Sequence, residues 1–376
     1  MIAAFSLLLT ALVVWRGICV QKCSVKWKII LSAIVVLSAF KFQLMRLCGG
    51  EMFFAPDIPA WILIFMTWAF AVVLFFALWL IAFDLVSLFW RLCCRFGHKK
   101  VPGFFTDAAG RGIALVPIAL LAGIVLHEGL KTPAVREYAI TVEHLPAELD
   151  GMKIVHLSDI HVDPVSGAER VREIVRLSNA CGADLILLTG DFVDGRAPVR
   201  GKDLLPLGEL RAPLGVYGVP GNHEYYSGYS DWMTFLREQC SVSMLENRHV
   251  ILPGTTVALG GVTDPAAERM GGALPDVPGA FAGAPEGACR ILMAHQPKLA
   301  ESAAAAGVDL MLSGHTHGGM IWGLDVLVGA LNHGYYSGIY RVDGMKLFVS
   351  NGAGLWSGFP IRLGRPGEIA LITLRR

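Results

Sequence analysis

The stretch Leu312–Gly319, LSGHTHGG, sets two histidines one residue apart among three glycines, directly after an apolar run. Four other apolar runs in the chain stop in the same way. KIVHL stops at Asp159 and His161 (SDIH), and DLILL stops at Asp191 (TGDFVDG). GVYGV stops at Asn222 and His223 (GNHE), and RILM stops at His295 (MAHQP). Taken singly, a D-x-H or G-N-H-E is a turn or a helix cap, because Asn, Asp and Gly favour both. Five such endings in one chain, each following a strand-like run, point to a shared site.

The segments between these endings fit that reading. AERVREIVRLSNA, 168–180, carries its apolar residues at helical spacing, and the runs on either side are short and apolar enough for buried strands. Strand, helix, strand implies an α/β domain built of βαβ units. Ligands in open α/β sheets collect beyond the carboxyl ends of the strands, where loops converge. Histidine nitrogen and carboxylate oxygen together suit divalent manganese, iron or zinc, and no cysteine joins the set to select a thiolate site. If the chain stays extended, the outer residues of D-x-H and of H-x-H point the same way, two donors to a side. The flanking glycines allow sharp turns and leave room for a substrate.

The first 130 residues have a different character. The chain of 376 residues is 54% hydrophobic and 17% charged, and six of its nine tryptophans fall in the first 90 positions. Residues 1–128 carry eleven Lys/Arg against five Asp/Glu, while the remainder has a net charge of −5. A basic apolar part and a mildly acidic part argue against nucleic acid as the partner. Ile58–Phe83 is 26 residues without a charge, roughly 39 Å of helix and enough to cross a bilayer. Ile2–Val20, Ile29–Met45 and Gly112–Leu130 are weaker runs that reach spanning length by tolerating Arg16, Lys41 or a terminal glutamate.

About four membrane helices are expected in 1–130, a tether and first strand in 131–150, and a catalytic domain in 151–376. The N-terminal run lacks a basic leader and a small-residue cleavage site, so it reads as a retained segment. Lys22, Lys26 and Lys28 in the first loop, and Arg91, Arg95, Lys99 and Lys100 in the third, would place those loops in the cytoplasm. The second loop offsets Lys41 and Arg46 with Glu51 and Asp57. Four spans would then put the remainder of the chain outside the cytoplasm. Eight scattered cysteines without C-x-x-C spacing suggest neither a disulfide framework nor a thiolate zinc site.

The order D-x-H, G-D, G-N-H-E, lone H, G-H-x-H resembles the calcineurin-like metallophosphoesterase superfamily from Lys153 to Arg376. GHTHGGMIWG, YYSGIYRVDGMKLFVSNGAG and PIRLGRPGEIALITL resemble its membrane-anchored bacterial branch. The resemblance implies a four-layer αββα sandwich and a hydrolase holding two divalent metal ions. Carried onto this chain, Asp159, His161 and His317 would hold one ion. Asn222, His295 and His315 would hold the other, and Asp191 would bridge them. His223 would sit beside the phosphorus, stabilising charge or protonating the leaving oxygen.

The resemblance implies hydrolysis of a phosphodiester, phosphomonoester or pyrophosphate bond by a metal-activated hydroxide. The substrate could be lipid-linked, such as the UDP-diacylglucosamine of lipid A assembly. A membrane scaffold with a structural metal site is the alternative, although seven donors exceed the four that close such a site. His156 reads as a core residue, Asp194 as a turn residue, and His333 as a residue facing the site or a structural loop residue. Arg362 and Arg365 read as residues of a solvated strand or as partners for an anionic group.

Overall fold

A computed structural model describes residues 2–49, 55–97, 100–105 and 108–376. The chain divides into two compact units, residues 1–127 and 128–376.

The second unit is built on two six-stranded sheets. Its strands are β1 (Ala134–Thr141), β2 (Lys153–Leu157), β3 (Leu185–Thr189), β4 (Val216–Val219), β5 (Ser243–Met244) and β6 (Arg248–Ile251). They continue with β7 (Val257–Gly261), β8 (Cys289–Met293), β9 (Leu310–Ser313), β10 (Gly338–Val342), β11 (Met345–Val349) and β12 (Glu368–Arg375). One sheet has the order β1-β12-β2-β3-β4-β5, the other β10-β11-β9-β8-β7-β6.

Alternation along the strands makes the layers. Leu185 and Leu187 of β3 join Ile291, Leu310, Leu312 and Phe348 in a core between the sheets. Ile186 and Leu188 face the opposite way and pack with Val171, Ile174, Trp232 and Leu236. These last four come from the helices Ala168–Ala180 and Asn222–Glu238. On the far face of the other sheet, Leu292, Met311 and Leu347 cover Ala300 and Ala303, from the helix Ala300–Ala305. Helix, sheet, sheet, helix is the four-layer αββα arrangement.

Strands β2, β3 and β4 are mutually parallel, as are β7, β8 and β9. The five endings noted in the sequence therefore leave the same kind of edge in both sheets. Strand β1 pairs in parallel with β12, with Ala134 opposite Glu368 and Thr141 opposite Arg375. The outermost strand of that sheet thus lies against the last strand of the chain.

The first unit is helical. Among the described residues two helices are long and apolar enough to cross a membrane, Ala60–Phe96 and Gly110–Leu130, the latter running into the second unit. Val25–Ala39 and Lys41–Cys48 would make a third span, but they are bent by 64° at their junction. Ile2–Ile18 is apolar and falls short of spanning length. Among the described residues, length and apolarity thus give two or three candidate spans, where the sequence suggested about four.

The long helix also overruns its expected end at Phe83 by 13 residues. Asp84 does not end it, because that carboxylate is paired with Arg16 at 2.7 Å and with Arg111 at 3.4 Å. Arg91 and Arg95, counted above as loop charges, lie inside this helix. Glu51 and Lys99 fall outside the described residues.

Candidate metal centre

Every residue expected at the site lies just beyond the carboxyl end of a strand. Asp159 and His161 follow β2, Asp191 follows β3, Asn222 follows β4, His295 follows β8, and His315 and His317 follow β9. The route by which paired donors converge differs from the extended chain suggested by the sequence. Asp159, His161, Asp191, His315 and His317 all have φ between +50° and +71°. This left-handed region is uncommon for residues other than glycine, and Asp, Asn and His are the ones that enter it most readily. The loops after β2, β3 and β9 therefore turn back sharply at the candidate donor itself.

The donors form two groups. In the first, atoms of Asp159, His161 and His317 lie within 4.8 Å of one another. His161 Nε2 is 3.8 Å from Asp159 Oδ1, and His317 Nε2 is 3.6 Å from the same oxygen. These separations are too long for hydrogen bonds. His161 Nε2 is buried and has no hydrogen-bond partner, an orphan that a cation would satisfy. In the second group, Asp191, His295 and His315 meet the same limit. His295 Nε2 lies 3.1 Å from Asn222 Oδ1 and 3.2 Å from His315 Nδ1.

Asp191 stands between the groups. Its Oδ2 is 3.2 Å from His295 Nε2, 3.7 Å from His161 Nε2 and 3.9 Å from His223 Nε2. Neutral or anionic donors in this number, with one carboxylate shared, fit divalent cations.

A second set of contacts orients the rings. His295 Nδ1 donates to the Thr189 carbonyl at 2.7 Å, which turns Nε2 toward Asp191 and Asn222. His161 Nδ1 donates to Asp194 Oδ2 at 3.0 Å, and the other oxygen of Asp194 takes His223 Nδ1. Asp194 is fully buried. The FVDG sequence reads as a turn, yet this carboxylate is the anchor for two site histidines. The signal in the sequence was the need of those rings for a partner on the nitrogen facing away from an ion.

Glu224, the last residue of GNHE, is equally engaged. Its carboxylate accepts from Asp191 N, Phe192 N and Gly221 N at 2.9, 2.7 and 2.7 Å, tying the β3 and β4 loops together. Two glycines are required by close approach. A Cβ on Gly314 would collide with Ser158 Oγ and Asp159 Oδ2, and one on Gly318, at φ +66°, would collide with Asn351 Oδ1.

Burial and neighbouring charge set the protonation of the group. Burial would raise Asp191, but His295 and His223 hold it well below the usual carboxylate range. Burial lowers His315 and His317 to about 3, with His295 adding to the effect on His315. Both imidazoles are therefore neutral and able to donate a lone pair. Burial would lower His223 as well, yet Asp191 and Asp194 together raise it to about 9, so it holds a proton at neutral pH.

A cleft of about 270 Å³ opens on this centre, lined by Asp191, Asn222, His223 and His315 together with the apolar Met320, Val328, Leu331 and Trp356. The remaining candidates lie elsewhere. His156 is buried against Thr189 Oγ1 at 2.8 Å. His333 is exposed and faces Glu301. Arg362 is buried rather than solvated and donates to the carbonyls of His317, Asn351, Gly354 and Arg365, so it props the histidine loop from behind. Arg365 pairs with Asp325.

Comparison with known proteins agrees with this geometry. Residues 152–319 match the calcineurin-like phosphoesterase family. A Danio rerio protein named "Transmembrane protein with metallophosphoesterase domain" is 30% identical over 393 residues, covering 98% of this chain and 87% of that one. A Bos taurus protein of the same name is 35% identical over 277 residues, 70% of this chain and 62% of that one. An Aquifex aeolicus protein named "Uncharacterized metallophosphoesterase" is 33% identical over 262 residues, 69% of this chain and 98% of that one. The chain thus spans less than two thirds of the bovine relative's length. Strand-end donors in two facing groups, and relatives matched over most of their length, lead to one conclusion: the chain belongs to the calcineurin-like phosphoesterase family, which is metal-dependent.

Proposed function

We propose that the protein is a membrane-anchored phosphoesterase that holds two divalent cations. Asp159, His161 and His317 would hold one, Asn222, His295 and His315 the other, and Asp191 both. The observation that carries the reading is the position of Asp191 Oδ2, within 3.2–3.7 Å of a histidine nitrogen from each group.

Divalent cations bound there supply Lewis-acid charge to phosphate oxygens and acidify a water. The chain's own residues do the rest. Asp191 keeps both groups in register, and Glu224 keeps the Asp191 and Asn222 loops in register. His223 holds a proton at Nε2 on the cleft side, because its Nδ1 is committed to Asp194. Water oxygen bonds to phosphorus and gives up a proton to solvent, the bond from phosphorus to the alcohol oxygen breaks, and His223 delivers a proton to that leaving oxygen and is reprotonated from solvent. Manganese, iron and zinc all suit such a donor set. Anchoring rests on the spanning-length helices Ala60–Phe96 and Gly110–Leu130.

The test is hydrolysis of nitrophenyl phosphomonoesters and phosphodiesters by the full chain in detergent, with and without added manganese. Activity should vanish on chelation, return with metal, and be lost in Asp191→Asn together with metal content. An Asp191→Asn protein that is folded, metal-loaded and fully active would refute the assignment. The side of the membrane depends on whether two or three spans form, and a reporter fused after Arg376 reads it directly.

A further inference from the structure

The cleft is lined by histidines and Asp191 and also by the apolar side chains of Met320, Val328, Leu331 and Trp356. From Leu331 the apolar character continues outward as a surface. Trp322, Val326 and Leu331 are 69%, 74% and 72% exposed, and Leu327 joins them. Leu331 both lines the cleft and stands on its rim. From Met320 to Asn332 the one charged residue is Asp325, which is buried and paired with Arg365. Large apolar side chains gathered without charge beside a polar centre mark an interaction site.

The end of an apolar helix lies in the same unit. The helix Gly110–Leu130 is long and apolar enough to cross a bilayer, and its last residues belong to the second unit. There the Leu130 carbonyl accepts Arg170 Nη1 at 2.8 Å, and Nη2 of the same buried guanidinium donates to Ala353 O at 2.9 Å. Gly129 lies so close to Pro360 that a Cβ would collide with its carbonyl. The segment from Ala353 to Pro360, held in this way to the end of a spanning helix, includes Trp356 of the cleft wall. Residues 129 and 130, where that helix ends, are thus held to the segment that carries Trp356.

Building on the phosphoesterase reading, we propose that the rim Trp322–Leu331 seats in the lipid surface and that the cleft takes phosphoesters of long-chain alcohols. The phosphate lies among the histidines. The hydrocarbon chain leaves along Leu331 and the exposed side chains of the Leu324–Ala330 helix into the lipid. The reaction is the hydrolysis described above, with a long-chain alcohol or a long-chain phosphate released.

The experiment uses the full chain in phosphatidylcholine nanodiscs with manganese and two matched pairs of substrates. These are methyl and hexadecyl phosphate, read by phosphate release, and methyl and hexadecyl p-nitrophenyl phosphate, read by nitrophenol release. In the preferred ester class, kcat/KM for the hexadecyl compound should exceed that for the methyl compound by about tenfold or more, given the apolar surface it buries. The double variant V326Q/L327Q should lose that preference while hydrolysing the methyl compound at the wild-type rate, because neither residue lines the cleft. The spanning helices still anchor this variant, so the loss would report the rim rather than the anchor. Equal kcat/KM for the two chain lengths in the wild type would overturn the inference, as would an undiminished preference in the double variant. A double variant that changes only the oligomeric state in detergent would also overturn it, by making the rim a contact between copies. Silence on all four substrates would instead count against the phosphoesterase reading itself.

Discussion

His161 Nδ1 donates to Asp194 Oδ2 at 3.0 Å, and neither side chain is exposed. The same carboxylate takes His223 Nδ1 through its other oxygen, so one residue fixes a candidate ligand and the candidate proton donor. Asp194→Ala should weaken metal binding about 10–100-fold, the usual cost of losing a partner behind a ligand, and lower kcat as well. Asp194→Asn keeps one acceptor oxygen and should recover part of both losses. Calorimetric metal titration beside steady-state kinetics checks this, and an Ala variant with wild-type metal affinity would contradict it.

His223→Asn should leave metal content unchanged and lower kcat by about 10²–10⁴-fold, the range of a general acid. The loss should depend on the leaving group. A nitrophenolate departs without help, whereas an alkoxide needs the proton, so alkyl esters should suffer more. Equal losses on aryl and alkyl esters would argue against proton donation by this ring.

His156 offers a pH test outside the donor set. Burial pushes its pKa down to about 3, against about 6.5 in an unfolded chain. Its ring touches Thr189 Oγ1 and the edge of Phe348, neither of which titrates in this range. Between those two pKa values the unfolded chain binds a proton that the folded chain refuses. The stability is fully present above pH 6.5 and is lost as pH falls toward 3. Between pH 6.5 and 5 the metal-free wild type should lose about 2 kcal/mol more than His156→Gln. Urea unfolding at the two pH values gives the difference, and parallel slopes would show that His156 is not the cause.

Gly314→Ala should destabilise the protein by about 1–3 kcal/mol, the range for forcing an extra methyl into a packed site. The displaced atoms are Ser158 Oγ and Asp159 Oδ2, so the ion held by Asp159 should be lost before the other. Thermal melting with and without metal separates the two effects.

The candidate donors could be picked out in the sequence because each is a distinctive residue placed directly after an apolar strand. It also showed the helix Ala168–Ala180 with its ends, since apolar periodicity is a local property. Other features depend on distant partners. Strand β1 finds β12 more than 200 positions away, and nothing in the sequence AVREYAIT names that neighbour. Asp194 looked like a turn because its function lies in two rings contributed by other loops. The span expected to end at Phe83 continues because Asp84 is neutralised by Arg16 and Arg111, arginines 68 and 27 residues away. Pairing across that separation is invisible to a count of charges.

The left-handed backbone at Asp159, His161, Asp191, His315 and His317 bears on how the site can vary. Holding residues other than glycine there costs of order 1–3 kcal/mol each, and the few side chains that tolerate the conformation are largely those that bind metals. Chemistry and conformation thus restrict these five positions to the same short alphabet. A β-branched replacement would strain the loop as well as remove a donor, so its inactivity would be uninterpretable. Asparagine keeps the turn and alters only the donor. It is therefore the replacement that isolates ligand chemistry from loop shape, and a library drawn from Asp, Asn, His and Gly at these positions would search for altered metal preference without first unfolding the site.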